Sequence, residues 1–385
     1  PRNNRHGRFD IAVIGDKIAR VASGLPAARA RQVVDAGDYY VTPGLIDIHT
    51  HFDALGADLN LQPDHHALTN GVTTAVDAGS SGHKNFEAFK ARTIDRARTR
   101  LLAWLNIVGA GMYGGKVEND VSEMDAAACA AMISKHAGLI VGVKTAHFQP
   151  PTWDAVDRAV EAGKLSSTPV LIDFSPRPQR PYPDLLLKHM RPGDIHTHVY
   201  ARHIPLLDAQ KKLAGYALAA RKRGVLFDVG HGNGSFWFRI AQPAIQQGFL
   251  PDTISTDIHK RSIMLPRANM MTTMSKLLNL GLTIEQAIER ATVNPARAIR
   301  RPELGHLGEG SIADIAVLGL MALSGFAGYK FALRSPPATS GNSIAVDEGR
   351  ALLPAEPDDV VRVEEIPPAQ PAMPPPPDRG LTGVS

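Results

Sequence analysis

Cysteine is almost missing: the chain has 385 residues and one cysteine, Cys129. An intramolecular disulfide framework is therefore excluded, and a lone thiol suits a reducing compartment, so a cytoplasmic location is expected. No apolar run reaches the roughly 18 residues a membrane-spanning helix needs, so no membrane association is expected. The opening PRNNRHGRFD has neither an initiator Met nor the apolar stretch of a signal peptide, so the chain is expected to begin inside a domain. Charge of one sign is scarce too. Lys+Arg number 42 and Asp+Glu 38, a net +4, and no long basic run accompanies it. Nucleic acid is therefore not an expected partner. Apolar residues make up 44% and charged residues 21%, which excludes wholesale disorder and allows a sizeable core.

What is present is a regular alternation. Eight β-branched, apolar runs occupy 44–52, 72–79, 101–109, 138–146, 169–175, 194–200, 224–232 and 252–259. Helical patterns separate them, at the spacing of a strand, a helix and two loops. The helix after 153 presents Trp153, Val156 and Val160 on one face and is expected to end at Gly163. A second is expected over 204–224, and a third opens on a capping box, Thr283 with Gln286. Continuous apolar strands, each followed by a helix, indicate a parallel sheet closed into a (β/α)8 barrel. An open doubly wound sheet is disfavoured because no Gly-rich phosphate turn follows the first strand.

The flanks differ. RFDIAVIGDKIARVA reads as two strands around Gly15-Asp16, and 305–320 reads as turn and strand. These ends are expected to pair into a small β-sandwich. The resulting division is 1–43 for its N-terminal part, 44–300 for the barrel and 301–353 for its C-terminal part. From 354 to 385 a proline-rich tail follows, with nine prolines in 24 residues.

In a barrel of this kind, strand C-termini face the active site. His49 and His51 end the first strand, Lys144 the fourth, Asp173 the fifth, His198 the sixth, His231 the seventh and Asp257 the eighth. Each can bind a metal or move a proton, and two imidazoles one residue apart can chelate one ion. Cys129 lies on a helix, so a thiol mechanism is not supported.

PGLIDIHTH, VGVKTA, THVY, STDIH, NPA at 294–296 and GEGSIADIAV resemble the amidohydrolase superfamily of metal-dependent hydrolases. More narrowly, TTAVDAGSSG, LFDVGHGNGSF, PDTISTDIH and MTTMSKLL resemble its dihydroorotase-like deacetylase branch. The similarity covers about 8–320. It implies a (β/α)8 barrel with a β-sandwich built from both chain ends. It also implies one or two divalent ions, zinc by default. His49, His51 and Asp257 would hold one. Lys144, carboxylated by CO2, would bridge to a second held by His198, His196 being the less suitable of that pair. At the fifth strand the family carries histidine where this chain has Asp173, which puts the second position in question.

The implied chemistry is attack by a metal-activated water, with Asp257 as base and then acid. His231 would donate a hydrogen bond to substrate or oxyanion, and the backbone of Gly232, Asn233 and Gly234 would hold a substrate carboxylate. The substrate class implied is a small acetylated amino acid or α-hydroxy acid. The alternatives are cyclic-amide hydrolysis and a non-catalytic barrel serving assembly. The chain is compatible with a homo-oligomer.

Overall fold

The computed structural model describes residue 3, residues 5–37, 39–56, 59–264 and 267–319, and the backbone of Lys330–Leu333 and Asp359–Arg362. β1 (Asp10–Ile14) and β2 (Lys17–Ala22) form the hairpin expected around Gly15-Asp16. β3 (Gln32–Asp35) and β4 (Tyr40–Pro43) lead into the barrel. There, seven parallel strands lie side by side in chain order. They are β5 (Leu45–Thr50), β6 (Val72–Gly82), β7 (Arg100–Asn106), β8 (Ile140–Thr145), β9 (Val170–Ile172), β10 (Ile195–His196) and β11 (Leu226–Phe227).

The eighth run closes the curl without becoming a regular strand. Single parallel bridges join Thr253 to Asp228 and Ile258 to Thr50. Backbone N–H groups of His231 and Gly232 donate to Ser255 O and Thr256 O at 3.2 and 2.9 Å. On the other side His51 N–H donates to Ile258 O at 3.0 Å. Side chains supply the remaining ties: Thr253 and Ser255 hydroxyls donate to Asp228 at 2.6 Å each, and the Thr256 hydroxyl donates to Asp47 at 2.5 Å. A hydroxyl-rich TISTD segment therefore holds its place through carboxylates where a ladder is absent.

The outer face of the sheet packs on helices through Leu45, Ala75, Leu105, Val143, Val170 and Phe227, all buried. The inner face holds Ile46, Ile48, Val76, Trp104 and Leu171. Trp104 is locked there by an Nε1–H bond to Ile48 O at 2.8 Å. The helix after Trp153 runs Asp154–Leu165, past Gly163. Gly163 is not its cap: a Cβ there would lie 2.6 Å from the Arg191 guanidinium and 2.9 Å from Val170, so close packing is the reason for glycine. The helix expected over 204–224 is confined to Gly215–Lys222. Asp208 accepts from Gln210 N and Lys212 N and makes a turn of the preceding stretch. The Thr283–Gln286 capping box is present.

Both ends of the chain build two further sheets. One has the order β2-β1-β14-β3 and the other β13-β12-β4, with β12 Ile315–Leu318, β13 Lys330–Leu333 and β14 Asp359–Arg362. Ile11, Val13, Ile18 and Val21 of the first meet Ile315 and Val317 of the second in one buried cluster. β14 falls inside the stretch read as a tail; its four residues, DVVR, occupy a proline-free window. The rest of that stretch lies outside the described residues. Among the described residues no helix is long and apolar enough to cross a membrane.

Candidate active site

Strict alternation along β5 would send Thr50, not His49 and His51, to the face that Ile46 and Ile48 occupy. The pairing of β5 with β6 slips between Asp47 and Thr50, where Asp47 accepts from His49 N at 3.2 Å. Both imidazoles meet Asp257 as a result. Asp257 Oδ1 lies 3.4 Å from His49 Nε2 and 3.0 Å from His51 Nε2. His198 joins them: donor atoms of His49, His198 and Asp257 all lie within 4.8 Å of one another, and all three residues are buried. Asp173, at the end of β9, places Oδ2 3.5 Å from His198 Nε2. Lys144, on β8, is buried, and its Nζ has no hydrogen-bond partner.

The imidazoles are oriented from behind. His49 Nδ1–H donates to Thr197 Oγ1 at 2.9 Å, whose own proton goes to Asp228 at 2.8 Å. His198 Nδ1–H donates to Gly230 O at 2.6 Å. Each ring is thereby fixed with Nε2 facing the site, the nitrogen a metal would take in place of a proton. His198 and Asp257 also adopt left-handed backbone, φ +60 and +46, a conformation that costs a non-glycine residue energy.

The electrostatics follow. Burial would raise the Asp257 carboxyl, but His49, His51 and His198 outweigh it and hold it well below the usual carboxylate range. Asp173 behaves alike: burial opposes, and His198 prevails in keeping it ionised. Burial would lower His198, but Asp173 and Asp257 bring it to about 9. Burial depresses the Lys144 ammonium against four surrounding carboxylates, Asp173, Asp257, Asp228 and Glu118.

These residues fit divalent ions. Two donors each about 2.0–2.1 Å from a tetrahedral zinc stand roughly 3.4 Å apart. The separations of 3.0, 3.4 and 3.5 Å at His51–Asp257, His49–Asp257 and His198–Asp173 are close enough for each pair to share an ion. An orphaned buried amine beside them is the other sign of a missing partner.

Other expected residues sit differently. His196 is fully buried against Tyr182 and Phe227, ring centroids 5.1 and 6.2 Å apart, away from the donor cluster. His231 is near Asp257, but both its nitrogens are engaged. Nδ1–H donates to Gly232 O at 3.0 Å, and Nε2 accepts from Lys276 Nζ at 2.8 Å. Gly232 N–H is committed to Thr256 O. Its value lies elsewhere: φ is +53, and any Cβ there would collide with Asp257 Oδ2. Gly234 accepts from Trp237 Nε1 at 2.8 Å. Cys129 is buried on Ala126–Lys135, its thiol pushed up to about 12 by burial.

Four residues escaped the strand-end reading: Asp228, Lys276, Glu118 and His147. Lys276 lies within MTTMSKLL, and His147 stands three residues past Lys144, so both were adjacent to signals already in view.

Residues 194–346 and 32–108 match models of the amidohydrolase family. A deacetylase of Agrobacterium fabrum is 33% identical over 321 residues, 81% of this chain and 78% of that protein. A deacetylase of Enterococcus faecalis is 30% identical, over 81% of this chain and 86% of that one. A solved dihydroorotase superposes with TM-score 0.75 at 31% identity, covering 85% of this chain and 90% of that one. With strand-end donors converging at the mouth of such a barrel, and relatives of this extent, the chain belongs to the amidohydrolase family of hydrolytic enzymes.

Proposed function

We propose that this enzyme is a metal-dependent deacetylase that cleaves the amide or ester bond of a small acetylated amino acid or α-hydroxy acid. The observation that carries the reading is Asp257, held ionised between His49 and His51 with His198 beside it. The deacetylase relatives support the bond type.

His49, His51 and Asp257 would hold one ion. Lys144, as a carbamate, with Asp173 and His198 would hold the other. When bound, the ions supply a water of lowered pKa and polarise the scissile carbonyl. A neutral buried amine is the form that reacts with CO2, and burial of Lys144 favours it. Asp257 presents Oδ1 to the imidazoles and Oδ2 toward Gly232. It takes the proton of the attacking water and returns it to the leaving amine or alcohol. His231 steadies the Lys276 ammonium, a cation suited to a substrate carboxylate.

The test is a panel on zinc-loaded enzyme, scored by acetate release for the acetylated acids and by chromatography of the ring-opened product for the cyclic amides. It contains N-acetyl amino acids of both hands, O-acetyl α-hydroxy acids, dihydroorotate and a hydantoin. Turnover of the acetylated acids is expected. Turnover confined to the cyclic amides would reject the deacetylase reading.

A further inference from the structure

We propose that His147 is a ligand of the second metal position and replaces the imidazole that the fifth strand lacks. The inference rests on the metallohydrolase reading above and concerns how its second position is completed.

Asp173 Oδ2 is close to two imidazoles: His198 Nε2 is 3.5 Å from it and His147 Nε2 is 3.6 Å from it. Both separations are close enough for the paired donors to share an ion. The carboxylate that stands in the place of a histidine thus brings a histidine with it, from the loop after β8.

His147 is built like the other donors. Its Nδ1–H donates to Glu118 Oε2 at 2.9 Å. Glu118 is itself buried, and its other oxygen accepts from Gly114 N at 2.9 Å. This carboxylate–imidazole contact fixes the ring and leaves Nε2 as the donor, as Thr197 does for His49 and Gly230 O for His198.

Seven non-glycine residues have left-handed φ among the described residues: His147, His198 and Asp257, and also Ser167, Lys211, Arg267 and Arg300. At His147 φ is +57, and Gln149 Nε2 donates to its carbonyl at 2.9 Å to hold the turn. The His147 side chain is 53% exposed, and Glu118 beneath it is buried. A pair with Glu118 alone would leave Nε2 free to turn to solvent, whereas it faces Asp173. Exposure on this side is what an ion position open to substrate requires.

The experiment uses the full chain, stripped by chelation and titrated with Zn2+ and then Co2+ in bicarbonate buffer. Bound metal is counted by mass spectrometry after gel filtration, and affinity is read against a chromophoric chelator. Wild type should bind two equivalents. His147→Ala should keep the first unchanged and lose more than about 100-fold in affinity for the second. Glu118→Gln, which spares the imidazole but weakens its support, should lose roughly tenfold or more at the second only. The Co2+ absorption of the second equivalent should change in both variants. Circular dichroism reports the fold, and if His147→Ala fails to fold, Glu118→Gln carries the test. An unchanged second equivalent in these variants, or a wild type that binds one ion only, overturns the inference and leaves the function standing. A wild type that binds none sinks the metallohydrolase reading itself.

Discussion

Replacing Gly232 by alanine should cost this enzyme most of its turnover while leaving it folded. The glycine sits at φ +53, where an L side chain costs about 1–2 kcal/mol. That alone would lower stability slightly and leave the chemistry intact. The collision is the larger effect. Real Cβ atoms stay at least 3.0 Å from their neighbours, and one placed here would overlap Asp257 Oδ2 by roughly half an ångström or more. The carboxylate cannot retreat freely, because Oδ1 is engaged by His49 and His51. A displacement approaching 1 Å at a reacting group costs about 10²-fold in rate. We expect kcat/KM on the best acetylated substrate to fall about 10–100-fold and the first metal equivalent to bind more weakly. The melting temperature should drop by only a few degrees. Gly234→Ala is the control: nothing lies within 4 Å of its added methyl and its φ is not positive. It should change kcat/KM by less than about threefold, because the clash that drives the rate loss is absent there. A Gly232→Ala enzyme with full turnover and normal metal content would refute the reasoning.

Chelation should abolish hydrolysis and Zn2+ should restore it; activity that survives removal of all metal would reject the assignment of His49, His51 and Asp257. Lys144→Ala should lose the second equivalent, and labelled bicarbonate should give a carbamate carbon resonance in wild type that this variant lacks. An unmodified Lys144 in the two-metal protein would contradict it. Burial and the neighbouring Lys276 depress His231 to about 4 from 6.5, so the unfolded chain binds this proton first. Stability from this group is present above pH 6.5 and is lost as pH falls toward 4, amounting to about 2 kcal/mol by pH 5. Denaturant titrations of the metal-free protein at pH 7 and 5 should show that loss in wild type and not in His231→Gln. Equal losses in the two would refute the attribution.

The sequence alone was enough for the order of the barrel strands, because β-branched apolar runs and helical periods are written locally. It was enough to single out the strand-end residues as well, since strand ends can be counted: His49, His51, Lys144, Asp173, His198 and Asp257 all carry side chains to one place or its margin. It could not supply what depends on closure. Alternation along β5 groups His49 with His51, but their meeting with Asp257 goes with a slip against β6 that the sequence does not show. The reason for glycine at 232 is Asp257, 25 residues away, and appears only once the eighth run docks. His147 was not singled out because it lies past the strand end, and Glu118 and Asp173 reach it from distant parts of the chain. Gly163 was read as a cap, though its cause is Val170 on the next strand. In each case the local sequence was ordinary or ambiguous, and a neighbour brought in by the fold decided the residue's role. Periodicity records which face a residue occupies, whereas the partner across that face is set by which strands the barrel brings together.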